Sequence, residues 1–214
     1  TRSPMFSSAL LVVSRLRVAL PVAVALAGVP AASGALVFSN GPSEAGLGSF
    51  TGEMSFVATD ATSGLLTVTL TNTSNPSNEG WLTAFAFNVV DGVSVSYSGG
   101  LAGWMDIANA SGSPFGIFDH GASTSASWEG GGNPSAGIAL GQTASATFLV
   151  TASAPVLAGL TDESFFDDSN GYAFVARFRG FADGNSDKVV GVVPGPGALA
   201  LAAIGAIGAR RRRR

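Results

Sequence analysis

His120 is the only histidine in the chain, and it follows Asp119. A histidine beside an acid is part of what a nucleophilic triad needs, since the base must be oriented by a carboxylate and placed against a nucleophile. The third member is missing from the pattern. No serine occupies a Gly-x-Ser-x-Gly turn, and with no cysteine in the chain there is no thiolate nucleophile, thiolate metal site or disulfide. His120 is therefore read as a loop histidine, and no catalytic residue is expected.

The oxygen-bearing stretches point to a second chemistry. Asp183-Gly184-Asn185-Ser186-Asp187 and Asp167-Asp168-Ser169-Asn170-Gly171 carry the ligand types that calcium takes, six to eight oxygens from carboxylates, amides and carbonyls. Neither fits the twelve-residue loop that ends in a bidentate glutamate, and Asp, Asn and Gly are also the usual turn formers. Asp183, Asn185 and Asp187 are retained as candidate calcium ligands, with solvated turns as the plainer reading and no other cofactor expected. Asp162-Glu163 and Asp167-Asp168 are adjacent carboxylates. Glycoside hydrolysis needs two carboxyls facing each other across a substrate, and neighbours on one loop do not supply that. Trp81, Trp104 and Trp128, with Asp106 and Glu129 near two of them, suggest sugar stacking if all three lie exposed on one face. A core or rim position is the commoner use of tryptophan in an all-β domain.

The elements that would position these residues have a period of two. Leu66, Val68 and Leu70 alternate with Thr67, Thr69 and Thr71, and Ala144, Ala146, Phe148 and Val150 alternate with Ser145, Thr147, Leu149 and Thr151. Alternation of this kind marks a strand with one buried face. Phe85-Phe87-Val89, Val93-Val95-Tyr97, Tyr172-Phe174-Ala176-Phe178 and the stretch from Gly48 to Ala58 repeat it, with Arg177 and Arg179 on the other face of theirs. Clusters of Gly, Asn, Ser and Pro separate the runs. Residues 108–141 are poorly patterned and read as long loops with short strands. One or two helical turns are expected at Thr161 to Phe166. The fold class expected is all-β, an antiparallel β-sandwich.

Both ends of the chain differ from this middle. Arg15 and Arg17, the apolar run Val18 to Val29, and the small residues Ala31 to Ala35 follow the basic, apolar, small order of a secretory signal peptide. Cleavage is expected near Ala35, with Gly34 as a close rival. At the other end Pro194-Gly195-Pro196 precedes an apolar run from Gly197 to Ala209 and the arginines Arg210, Arg211, Arg212, Arg213 and Arg214. As a helix that run is about 20 Å long, short of the roughly 30 Å hydrocarbon core. The arginines would stay on the cytoplasmic side, leaving the domain outside. The expected organisation is residues 1–35 as signal peptide, 36–193 as the β domain and 194–214 as a sorting signal.

Removing the labels changes the charge. The whole chain reads −3, but between them only Arg177, Arg179 and Lys188 remain against all 14 acidic residues, which leaves the domain at −11. Such a domain repels nucleic acid and anionic membrane surfaces. Its roughly 160 residues are enough for one core without disulfides.

The tail resembles the PEP-CTERM sorting signal of exported bacterial proteins, carried here by Val193-Pro194-Gly195-Pro196, the Gly/Ala/Leu helix and the terminal arginines, with Gly195 where the family has glutamate. The resemblance covers about a tenth of the chain. It implies an inner-membrane stage, processing near the Pro-x-Pro motif by an exosortase, and delivery by the secretion machinery to the cell surface or extracellular matrix. The middle, through Leu66 to Thr73, Leu82 to Asn88 and Val175 to Phe181, is similar to domains that recur beside this tail, which lend it no catalytic residues. The expectation is a non-catalytic exported surface or matrix protein. The alternative is a module binding exopolysaccharide or another carbohydrate, and a secreted hydrolase is the reading favoured least.

Overall fold

The computed structural model describes residues 34–129, 131–168 and 171–193. The expected signal-peptide and C-terminal helices, and the motif itself, lie outside the described residues. Among the described residues no helix is long and apolar enough to cross a membrane.

Ten strands form two five-stranded antiparallel sheets. They are β1 (Ala35–Phe38), β2 (Phe50–Ala58), β3 (Ser63–Asn72), β4 (Glu79–Phe87), β5 (Val93–Gly99), β6 (Met105–Ser111), β7 (Ile117–Ser123), β8 (Thr143–Ala152), β9 (Phe174–Phe181) and β10 (Ser186–Gly191). One sheet has the order β1-β2-β3-β8-β5 and the other β10-β9-β4-β7-β6. A single helical turn, α1 (Ala154–Leu157), and 3-10 turns at Pro134–Ala136 and Asp162–Phe165 complete the described secondary structure.

The alternating pattern works as expected in β3 and β8. Leu66, Val68, Leu70, Ala146, Phe148 and Val150 are buried, while the threonines and serines between them face out. Both sheets contribute to one core. Phe148 of β8 meets Phe87 and Phe85 of β4 edge-on, with ring centroids 5.3 and 5.9 Å apart, and Phe50 of β2 lies 5.4 Å from Phe174 of β9. These aromatic contacts run from one sheet to the other and replace the disulfide that the chain cannot make.

The second sheet departs from the half-buried expectation. β4 is buried on both sides, from Leu82 to Phe87. Its outer side carries a smaller apolar cluster of Ala84, Ala86, Ile107, Ala110, Phe118, Trp128 and Val175. Covering that side required β6 and β7, which fall largely within residues 108–141, the stretch read as long loops with short strands. Asn109, at φ 51°, interrupts the regular alternation of β6. The helical turn at Asp162–Phe165 is where it was expected, and it buries Phe165 against Phe56.

Candidate functional site

β9 and β10 bring the domain's cations together. In β9, Phe174, Ala176 and Phe178 face the core, so Val175, Arg177 and Arg179 face the other way. Lys188 of β10 is the cross-strand partner of Arg177. All three basic residues of the described chain therefore sit on the outer face of one sheet. Glu129, in the loop after β7, closes over them. Its Oε2 lies 3.1 Å from Arg177 Nη1 and its Oε1 3.7 Å from Lys188 Nζ. Glu44 Oε2 is 3.7 Å from the same lysine, Lys188 also donates to the Ser113 carbonyl at 2.6 Å, and Arg179 donates to Gly131 O at 2.8 Å.

The Arg177 side chain is 10% exposed and that of Glu129 57%. Burial lowers the Arg177 pKa from its ordinary value, and Glu129 opposes that by favouring the charged form. Arg177 Nε is buried without a partner. The cluster is a carboxylate-binding arrangement whose carboxylate comes from the protein itself. It fixes the loop carrying Trp128 and Glu129 across the sheet.

Asp187 is placed quite differently from the solvated calcium loop expected of it. It is fully buried at the start of β10, opposite Phe178. Its carboxylate accepts hydrogen bonds from Ser43 Oγ, at 2.9 and 2.7 Å, and from the backbone N–H groups of Ala45, Leu47 and Gly48 at 2.8, 2.8 and 2.9 Å. Five donor contacts fill the oxygens. A Cβ on Gly48 would sit 2.5 Å from the Phe178 ring, so only glycine lets this loop close. Asp183 instead accepts from the N–H and side-chain amide of Asn185 on an exposed turn, which lowers its pKa. The three candidate ligands do not converge. Among the described residues no three His, Cys, Asp or Glu side chains come together.

His120 lies in β7, not in a loop, opposite Phe87 and Ala108. Burial lowers its pKa from 6.5, while Asp119 and Asp106 pull in the other direction. Its Nδ1 is buried without a partner. Asp119 is engaged elsewhere, its Oδ2 accepting from Val89 N at 3.1 Å. Asp162 accepts from Phe56 N at 2.6 Å. Asp106 and Glu129 line one open cavity of about 260 Å³. Both are already occupied, Asp106 by the Tyr97 N–H at 2.7 Å and Glu129 by the cations.

The tryptophans do not share an exposed face. Trp104 is buried in the main core and donates to the Ala136 carbonyl at 3.1 Å. Trp128 is buried in the outer cluster, and Trp81 is half-buried. The exposed platform required for sugar stacking by all three is therefore absent among the described residues.

Ala35 opens β1, buried and paired with Met54, and Gly34 N donates to Glu53 Oε1 at 2.9 Å. Pro194, Gly195, Pro196 and Arg210 to Arg214 lie outside the described residues. The grouping of Glu129 with Arg177 and Lys188 was missed at the level of sequence. The available signal was the scarcity of basic residues, since only three lie among the described residues and two of them alternate along β9. No protein-family model, curated protein or solved structure matches this chain.

Proposed function

We propose that this chain is a non-catalytic exported protein of the cell surface or extracellular matrix, a β-sandwich sorted through its C-terminal signal by an exosortase-type enzyme. Secretion machinery and a transient stay in the inner membrane are its implied partners. The observation that carries the reading is the sequence order of the two ends, basic-apolar-small at the start and Pro-x-Pro, apolar run and arginines at the finish, around an antiparallel β domain. Among the described residues β1 opens at Ala35, and the bridge nearest the C-terminal end joins Phe38 to Val192, with Phe38 N to Val192 O at 3.1 Å and Val192 N to Phe38 O at 2.8 Å. Reciprocal pairs in an antiparallel ladder recur every second residue. The next one would call on Pro194, which has no N–H to give.

Replacing Arg210 to Arg214 with serine tests the sorting signal. The variant is expected to lose normal retention and processing on fractionation of the native host. Unchanged export and processing would remove the arginines from the signal and the reading with them.

A further inference from the structure

Glu53 is isolated in its sheet. The strands β1, β2, β3, β8 and β5 contain no other charged residue. Arg177, Arg179 and Lys188 lie on the outer face of the other sheet, held there by Glu129, Glu44 and backbone carbonyls. Among the described residues Glu53 therefore has no side-chain cation. Its partner is a backbone group, since Gly34 N donates to Glu53 Oε1 at 2.9 Å. One neutral N–H answers a half-buried carboxylate only weakly, because an ionised donor makes a shorter and stronger hydrogen bond to it.

The approach of Gly34 is close. A Cβ there would lie 2.6 Å from Glu53 Cγ, 2.6 Å from Met54 O and 2.7 Å from Glu53 Oε1. Glycine thus lets the chain enter β1 directly against Glu53. The next residue, Ala35, is buried and pairs with Met54. A cut after Ala35 would discard both contacts and leave β1 with residues 36–38 alone. The order of small residues does not choose among the cuts. Ser33 with Ala31, Gly34 with Ala32, and Ala35 with Ser33 all place small side chains at the first and third positions before the bond. Only the first choice keeps both the Gly34–Glu53 bond and Ala35.

We propose, resting on the export reading above, that the mature chain begins at Gly34 and that its new α-ammonium is the cation Glu53 lacks. Hydrolysis of the Ser33–Gly34 peptide bond adds water across it. It leaves a carboxylate on Ser33 and an amine on Gly34, which is mostly protonated at neutral pH. The nitrogen already set against Glu53 Oε1 then carries the charge. A neutral hydrogen bond becomes an ion pair that fastens the free end of β1 to β2. The precursor does not make this pair, because there the same nitrogen is an amide.

Intact mass and N-terminal sequencing of the protein from its native host are expected to give a chain that starts at Gly34, two residues ahead of Leu36. A start at Ala35, at Leu36 or elsewhere in the small-residue stretch would overturn the assignment and leave the signal peptide standing. A chain that keeps residues 1–33 would remove the signal peptide and the assignment together. The charge pairing has its own readout. Glu53→Gln keeps an acceptor for Gly34 N, so the fold is retained. NMR titration of the Gly34 amine should place its pKa about half a unit lower in this variant than beside Glu53, the size expected for a partly exposed pair. Equal amine pKa values in the two proteins would overturn the ion pair.

Discussion

Ser43 Oγ donates to both carboxylate oxygens of Asp187, across 144 positions of sequence. That contact, with the three N–H groups of Ala45, Leu47 and Gly48, anchors the β1–β2 connection to β10. Replacing Asp187 with alanine removes the common acceptor and leaves buried donors unpaired. The expected loss is about 3 kcal/mol or more in urea unfolding, since hydrogen bonds to a charged group count for about 1.5–3 kcal/mol each and are not additive. Asp187→Asn should recover only part, because its NH2 group faces donors. A loss below about 1 kcal/mol would show that the loop finds other acceptors.

Calcium should leave this knot untouched. The Asp187 oxygens face N–H and O–H donors, and Asp183 and Asn185 bond to each other on an exposed turn. We expect a melting temperature unchanged by excess calcium or by chelator. A ligand binding only the folded state would raise it with concentration, and such a rise would restore the candidate site.

Glu129 holds Arg177 and Lys188 at the outer face of the second sheet. Glu129→Ala leaves a nearly buried guanidinium without its carboxylate and should cost about 1–3 kcal/mol. The double change Arg177→Met with Glu129→Gln should recover most of that, since an apolar side chain of similar length needs no counter-charge. Chemical denaturation of the three proteins distinguishes this from an exposed pair, where Glu129→Ala would cost no more than about 0.5 kcal/mol.

Burial depresses the His120 pKa in the folded protein below its unfolded value of 6.5. Its contribution is then fully present above the unfolded value and declines as pH falls through that value toward the folded one, because the unfolded chain takes up a proton first. Melting temperature should fall on acidification below pH 6.5, and His120→Gln should flatten the curve in that window. Identical pH profiles for the two proteins would contradict the assignment.

The legibility of the fold followed its solvation. β3 and β8 show their alternation because one face meets water and the other meets Phe50, Phe85 and Phe87. β6 and β7 do not, because Trp128, Phe118 and Ile107 cover the side that would otherwise be polar. β10 was hidden in a different way. Its Asp187 resembles a turn residue until the loop from Ser43 to Gly48 closes on it, and no local pattern announces a partner 139 positions away. The cation cluster has the same origin, since Lys188 joins Arg177 only through the β9–β10 register. The sorting labels are a proposal that rests on the order of residue types at the two ends and on the resemblance of the tail.

Mass spectrometry of the mature protein from its native host tests the sorting proposal most directly. The expected product begins near Leu36 and ends at or close to Pro194-Gly195-Pro196, with the apolar run and the arginines removed. A mature chain that still ends in Arg214 would contradict it.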